Sequence, residues 1–257
     1  MYYIERNAVT DAMFLAGSVG EPATGETAWA AGTWAVGAEA IRPTLHRVFR
    51  CTVARTGSNL NPPEVDTASW ADMRPTNRYL PFGPSARADG KLVYQNRPLK
   101  STVADIEYRL AQRYANAVAI FGLRGATWRV RVYSSPGGPL VFERSGRIKS
   151  AARGYWDYGY GQRLINDRVL VTGLPIFPNA EVRITIEAGE GQTRAVSQIE
   201  VGKLRFIPGV DLGGVEYGVV RSPKAFTSRK TEEDGSTSVL IYGTAYGMSG
   251  TVALSGK

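Results

Sequence analysis

The chain of 257 residues has one cysteine and one histidine, and both scarcities restrict its chemistry. Cys51 has no partner for an internal disulfide, so stability must come from packing or from assembly. His46 alone excludes a metal site built on several histidines. Because the two residues are five positions apart on one predicted strand, they point to opposite faces and cannot form a thiolate–imidazolium pair. We expect a buried Cys51, a surface strand position for His46, and neither cofactor nor metal.

Long apolar runs are also missing. No stretch of about eighteen apolar residues is present, which argues against membrane insertion. The segment Met1–Arg6 lacks the basic start and the apolar stretch of a signal peptide. Any export would therefore need another route, such as leaving the cell inside a particle.

Clustered charge is absent, although the formal net charge is +8. The arginines stand at alternate strand positions, such as Arg129, Arg131, Arg183 and Arg205, and do not form a run. Diffuse charge of this kind suits a solvated β surface or contact with an acidic partner. Without a recognition helix, a zinc finger or a basic arm, direct nucleic-acid binding is not expected.

Catalytic motifs are equally scarce. The pair Gly122-x-x-Gly125 follows a predicted strand and precedes another strand, so it indicates a turn and not a phosphate loop. The carboxylates that a glycosidase would need are spread along the chain, at Asp157, Asp167, Glu187 and Glu190. We therefore predict that the chain is not an enzyme, and a polysaccharide or cell-wall hydrolase is the weakest alternative.

The chain does contain repeated period-two alternation, with 29 glycines and 14 prolines between the apolar segments. Trp128, Val130 and Val132 alternate with polar residues within 127–133, and 181–187 has the same pattern. These short strands and turns predict an all-β fold with an antiparallel jelly-roll or β-sandwich. Residues 103–114 fit a helix or a strand, and we predict a strand. We expect burial of Phe121, Trp128, Val130, Ile184 and Ile186.

Two groups of aromatic residues are candidate binding surfaces. Tyr155, Trp156, Tyr158 and Tyr160 lie within six residues, too close together for all to enter one core. They could pack at a sheet edge, anchor a protein interface or stack on a glycan. Trp34 and Trp70 belong to a small unit around the strand 45–54, and could form its core, a stacking platform or an interface. The order of tryptophans, turn residues and a short apolar strand in this unit resembles that of small chitin- and cellulose-binding-like modules.

The order of many short motifs along the chain resembles a family of tailed-bacteriophage tail and baseplate proteins. The motifs are Asn77-Arg78-Tyr79, Ile106-Glu107-Tyr108, Ala119-Ile120-Phe121-Gly122-Leu123, Val130-Arg131-Val132-Tyr133, Gly138-Pro139-Leu140-Val141-Phe142, Tyr155-Trp156-Asp157-Tyr158, Glu200-Val201-Gly202 and Gly213-Gly214-Val215-Glu216-Tyr217-Gly218. The resemblance implies a carbohydrate-module-like unit joined to a galactose-binding-like jelly roll. The segment 221–229 departs from the family pattern. Its Arg221, Lys224, Phe226 and Arg229 are candidate assembly residues.

This resemblance implies five segments. They are N-terminal edge strands (1–28), the carbohydrate-binding-module-like unit (29–75), a structured linker (76–101), the galactose-binding-like sandwich (102–225) and a C-terminal hairpin or assembly segment (226–257). The implied function is that of a structural virion protein in the tail, baseplate or tail tip, made in the host bacterial cytoplasm. Its implied partners are other virion tail proteins and further copies of itself. The alternative is an adhesin that binds a host-surface glycan.

Overall fold

The structure is a computed structural model that describes residues 2–57, 60–83, 85–86, 92–93, 105–149, 154–161, 165–189, 191–206, 220–231 and 237–249. The predicted all-β class is confirmed, since 47% of the chain is strand and no described helix reaches seven residues. None of the described helices is long and apolar enough to cross a membrane. The chain divides into two compact units, residues 4–204 and residues 1–3 with 205–257.

Sixteen strands, one α-helix and two short 3-10 helices are described. The strands are β1 (Tyr2–Arg6), β2 (Phe14–Gly17), β3 (Glu39–Arg42), β4 (Arg47–Cys51), β5 (Trp70–Pro75), β6 (Ser85–Ala86), β7 (Leu92–Val93), β8 (Ile106–Gln112), β9 (Ala117–Phe121), β10 (Thr127–Tyr133), β11 (Leu140–Arg147), β12 (Arg168–Thr172), β13 (Ala180–Glu187), β14 (Gln198–Phe206), β15 (Val220–Thr231) and β16 (Thr237–Ser249). Helix α1 is Tyr155–Gly159, and the 3-10 helices are Asp11–Met13 and Leu80–Phe82.

Two antiparallel sheets form a sandwich around one core. The first sheet has the order β1-β14-β9-β12 and the second the order β11-β10-β13-β8-β2. Val118, Ile120 and Val201 from the first sheet share a buried cluster with Tyr108 and Ile184 from the second. The N-terminal strands β1 and β2 each occupy one edge of a sheet.

Burial explains the strand alternation. Trp128 lies opposite Ile186 and Val130 opposite Ile184 in the β10–β13 register, and all four are buried as predicted. The ambiguous segment is confirmed as a strand, β8, whose alternate residues are buried. The prediction for Phe121 is wrong, since its side chain is 36% exposed. Its neighbour Ile120 is buried in the core, so Phe121 has the opposite, outward phase of strand β9.

The small unit is inserted between β2 and β8 and forms its own three-stranded sheet in the order β3-β4-β5. Its core contains Phe49, Cys51 and Trp70, so the buried thiol is confirmed. Trp34 is partly buried and packs edge-on against Trp70, with ring centroids 5.5 Å apart. The predicted strand 45–54 is shorter in the structure, because the chain turns through His46 with a positive φ of 53° before β4 begins.

Within the predicted linker, the structure describes the residues that follow β5, the 3-10 helix Leu80–Phe82 and the short β6–β7 pair. The other residues of the linker lie outside the described ranges. Toward the C-terminus, β15 and β16 pair from Val220 opposite Ser249 to Thr231 opposite Thr237 as a two-stranded sheet. The predicted C-terminal hairpin or assembly segment overlaps this pair, and its residues 232–236 and 250–257 lie outside the described ranges.

Candidate binding site

A cavity of about 710 Å³ lies at one end of the sandwich. It is bounded by the end of β9, the starts of β10, β12 and β14, and the segment that follows β11. We call it the loop-end cavity. Its lining residues are Gly122, Leu123, Arg124, Gly125, Ile148, Lys149, Ile165, Asp167, Gln192, Thr193 and Ser197.

The first wall of the cavity depends on two glycines in the β9–β10 turn. Gly122 has a φ of 66°, and a Cβ there would collide with the side chain of Ser197. This close approach lets the turn and the segment before β14 pair, through mutual backbone hydrogen bonds of 2.9 Å between Arg124 and Ala195. The sequence prediction of a turn at Gly122 and Gly125 agrees with this geometry.

A buried arginine holds the segment between β13 and β14. The guanidinium of Arg194 donates to Asp105 Oδ1 at 2.8 Å, to the Ala188 carbonyl at 2.6 Å and to the Gln192 carbonyl at 3.1 Å. Hydrogen bonds that involve a charged group are stronger than neutral ones. Arg194 therefore fixes the backbone that presents Gln192 and Thr193 to the cavity.

The opposite wall is formed where the chain leaves β11 and returns to β12. The Asn166 amide donates to the Ile148 carbonyl at 2.8 Å, and Lys149 forms a bridge with Ile165. Helix α1 lies between these residues in the sequence.

Helix α1 and the residue after it expose large aromatic side chains. Tyr155 is 88%, Trp156 74% and Tyr160 78% exposed, and the Trp156 and Tyr160 ring centroids are 4.8 Å apart. These three rings lie outside the buried core, which leaves the interface and glycan alternatives open for them. The side chain of Tyr158 lies outside what the structure describes. The sequence did not indicate α1, because a short aromatic segment that contains glycine has no clear helical periodicity.

Arg124 and Lys149 place positive charge at the cavity. Among the described residues, no carboxylate lies within ion-pair distance of Arg124 or Lys149. The one carboxylate of the lining, Asp167, has its Oδ1 3.6 Å from Arg168 Nε at an exposed position. The arrangement offers hydrogen-bond donors, acceptors and unneutralised positive charge, which suit binding.

The structure distributes the other predicted site residues over separate surfaces. Trp70 is buried, and Trp34 donates through its indole nitrogen to the Ala30 carbonyl at 2.9 Å, so both serve the core of the small unit. The candidate assembly residues lie on β15, where Arg221 is opposite Met248 and Arg229 opposite Val239. Lys224 and Phe226 are on the same strand, opposite Ala245 and Gly243.

A polar group around His46 was missed by the sequence analysis. His46 is not a surface strand residue: it is partly buried in a turn, 2.8 Å from Asp11 Oδ1 and 2.8 Å from Glu21 Oε2. The hydrogen bond from His46 is the main cause that holds the pKa of Asp11 below its usual value. Burial, with added repulsion from Asp11, raises the pKa of Tyr79, which stacks on His46, to about 12. No spacing in the sequence joins these residues, because the fold brings them together.

Among the described residues, no group of three histidine, cysteine, aspartate or glutamate side chains could hold a metal ion. No protein-family model matches the chain, and no curated protein or solved structure is significantly similar to it.

Proposed function

We propose that this chain is a structural virion protein of a tailed bacteriophage, placed in the tail, baseplate or tail tip. It acts there through protein–protein assembly and not through catalysis. Its partners are other tail proteins and further copies of the same chain. The resemblance in motif order supports the phage assignment, and the all-β architecture is compatible with it.

The single observation that carries the assembly role is the exposed aromatic surface of Tyr155, Trp156 and Tyr160. Three large rings at 74–88% exposure are unusual for a chain that works alone in solvent. Trp and Tyr are the residues that most often dominate binding energy at protein interfaces. A neighbouring subunit would remove this surface from water.

The second candidate is a host-surface adhesin that binds a glycan. It is favoured by the same rings, because aromatic faces also stack on sugars. The polar loop-end cavity favours it as well. The two functions differ in what covers Trp156 in the intact particle.

Substitution of Trp156 by Ala in the phage genome tests the proposal. If Trp156 is an interface anchor, its loss costs ~2 kcal/mol or more of association free energy, and particle yield falls. Particles are counted by electron microscopy, and adsorption to host cells is measured separately. Leu170→Ala is the matched control, since Leu170 is also exposed but lies on β12 outside the aromatic loop.

Normal particles that no longer adsorb would overturn the assembly role and favour the adhesin. The isolated Trp156→Ala chain should keep the wild-type circular-dichroism spectrum and thermal midpoint, because the ring is not part of the core. This measurement separates a lost contact from a misfolded chain.

A further inference from the structure

We propose that the loop-end cavity is a receptor for an acidic saccharide. Arg124 and Lys149 would hold its carboxylate or phosphate group, while the remaining polar residues of the lining bind its hydroxyls. This inference goes beyond assembly through α1, because it concerns a different surface and holds for the isolated chain.

The size of the cavity fits a small ligand. Pockets that enclose small molecules in proteins have volumes of roughly 300–1,000 Å³, and this one has about 710 Å³. Ile165 is 59% exposed at its lining and offers apolar surface, while polar side chains complete the lining. An apolar patch with convergent polar groups matches the face and the hydroxyl edge of a sugar ring.

The charge of the cavity indicates an acidic ligand. Arg124 and Lys149 have exposed side chains at the lining, and the described residues provide no carboxylate within ion-pair distance of either. Two cations at one cavity raise the local concentration of anions and supply charged hydrogen bonds to them.

The neutral polar groups favour a saccharide over a bare anion. Gln192 both donates and accepts hydrogen bonds, as do the Thr193 and Ser197 hydroxyls, and Asp167 accepts only. A simple anion has no donor for Asp167, whereas sugar hydroxyls donate and accept at the same positions. The mixed lining therefore matches a polyhydroxylated ligand with one acidic group.

The walls are organised before any ligand arrives. Arg194 fixes one wall with three hydrogen bonds, and the Gly122–Ser197 approach fixes the turn against it. Binding to a preformed site avoids the entropy of ordering loops.

Isothermal titration calorimetry on the isolated full-length chain tests the site with three probes. Trigalacturonate carries carboxylates, an oligomer of glycerol phosphate carries phosphodiesters, and maltotriose is the neutral sugar. We expect an acidic probe to bind and maltotriose to bind at least about tenfold more weakly, because it lacks the charged hydrogen bonds. Binding of one acidic probe alone would identify the acidic group as carboxylate or phosphate.

Two double variants complete the experiment. Arg124→Ala with Lys149→Ala should weaken the acidic probe at least about tenfold. Arg113→Ala with Arg144→Ala removes the same charge at exposed positions outside the lining and should leave the affinity unchanged. The proposal is overturned if neither acidic probe binds, if maltotriose binds equally well, or if both double variants weaken binding equally. Calorimetry does not depend on particle assembly, so this result is independent of the test of the assembly role.

Discussion

His46 lies between two carboxylates, and both of its ring nitrogens are engaged. Nε2 is 2.8 Å from Asp11 and Nδ1 is 2.8 Å from Glu21, while the ring stacks on Tyr79 with centroids 3.9 Å apart. These contacts join the turn before β4 to the N-terminal segment.

Replacing His46 by Asn should return the pKa of Asp11 toward its ordinary value, because the hydrogen bond from the imidazole is lost. Asn tolerates the left-handed backbone found at this position, so the turn is kept. Because the pKa of Asp11 is lowered in the folded chain, its stabilising contribution exists above the ordinary pKa and disappears as pH falls through the folded value. The variant should lose this dependence.

The measurement for this variant is a carboxyl NMR titration of Asp11 in both chains. Leu45→Ala in the same turn is the control, since Leu45 is exposed and does not contact Asp11 through any described bond. An unchanged Asp11 titration in His46→Asn would show that another group lowers its pKa.

At the scale of elements, the outward face of the second sheet places three arginines side by side. Arg131 on β10 is opposite Arg183 on β13, which in turn is opposite Arg109 on β8. Like charges directly opposite each other destabilise a sheet. Glu181 is fully buried and offsets the repulsion between these arginines. It accepts hydrogen bonds from Arg109 at 2.7 Å and from Arg183 at 3.0 Å. Arg109 and Arg183 are thus neutralised within the sheet.

Glu181 should make stability sensitive to acid. Burial raises its pKa, but hydrogen bonds from Arg109, the Gly137 amide and Arg183 lower it to about 2. Its contribution is therefore present above about pH 4.3 and is lost as pH falls toward 2, a change on the order of 3 kcal/mol. We expect urea unfolding to show this loss in the wild type and a much flatter pH profile in Glu181→Gln.

Glu143→Gln is the matched control for the acid experiment. Glu143 pairs with Arg131 on the same sheet face, but its side chain is 42% exposed. Exposed ion pairs contribute roughly 0–1 kcal/mol, so the control should resemble the wild type. Equal pH profiles for the wild type and Glu181→Gln would contradict the role of Glu181.

Elements that bury one face were predictable from the sequence, and the others were not. β10 has the predicted bounds, and β13 begins one residue before them, because alternate burial determines the pattern. Helix α1 lacks such a pattern and was missed. The loop-end cavity was also missed, since its lining comes from three loops that only the strand order brings together. The aromatic rings of α1 were found because composition alone indicated them.

At the scale of the whole molecule, strand β1 forms one edge of the first sheet. β1 lies beside β14, and the Asn7 amide donates to the Val201 carbonyl at 2.9 Å. β14 is continuous through Gly202. A Cβ on Gly202 would collide with the Glu5 carbonyl, so the glycine permits the two strands to approach.

Gly202→Ala should separate β1 from β14 and lower the free energy of unfolding by on the order of 2 kcal/mol. The obstructing atom belongs to the backbone, so no side-chain rotation can relieve the contact. Urea denaturation measures the loss. Gly32→Ala is the control, because a Cβ there meets no atom within 4 Å. Equal stabilities of the two variants would mean that β1 accommodates the methyl group.

The pairing of β1 with β14 also has a consequence for biosynthesis. Residues 2–6 leave the ribosome before their neighbour strand, residues 198–206, which emerges nearly two hundred residues later. Such distant pairings are slow to form, because a long loop must close before any contact compensates its entropy. Until then β9 lacks its β14 neighbour, and the apolar inner face around Val118 and Ile120 is left incomplete. The nascent chain therefore passes through a state with an open sheet edge, in which chaperone binding competes with aggregation.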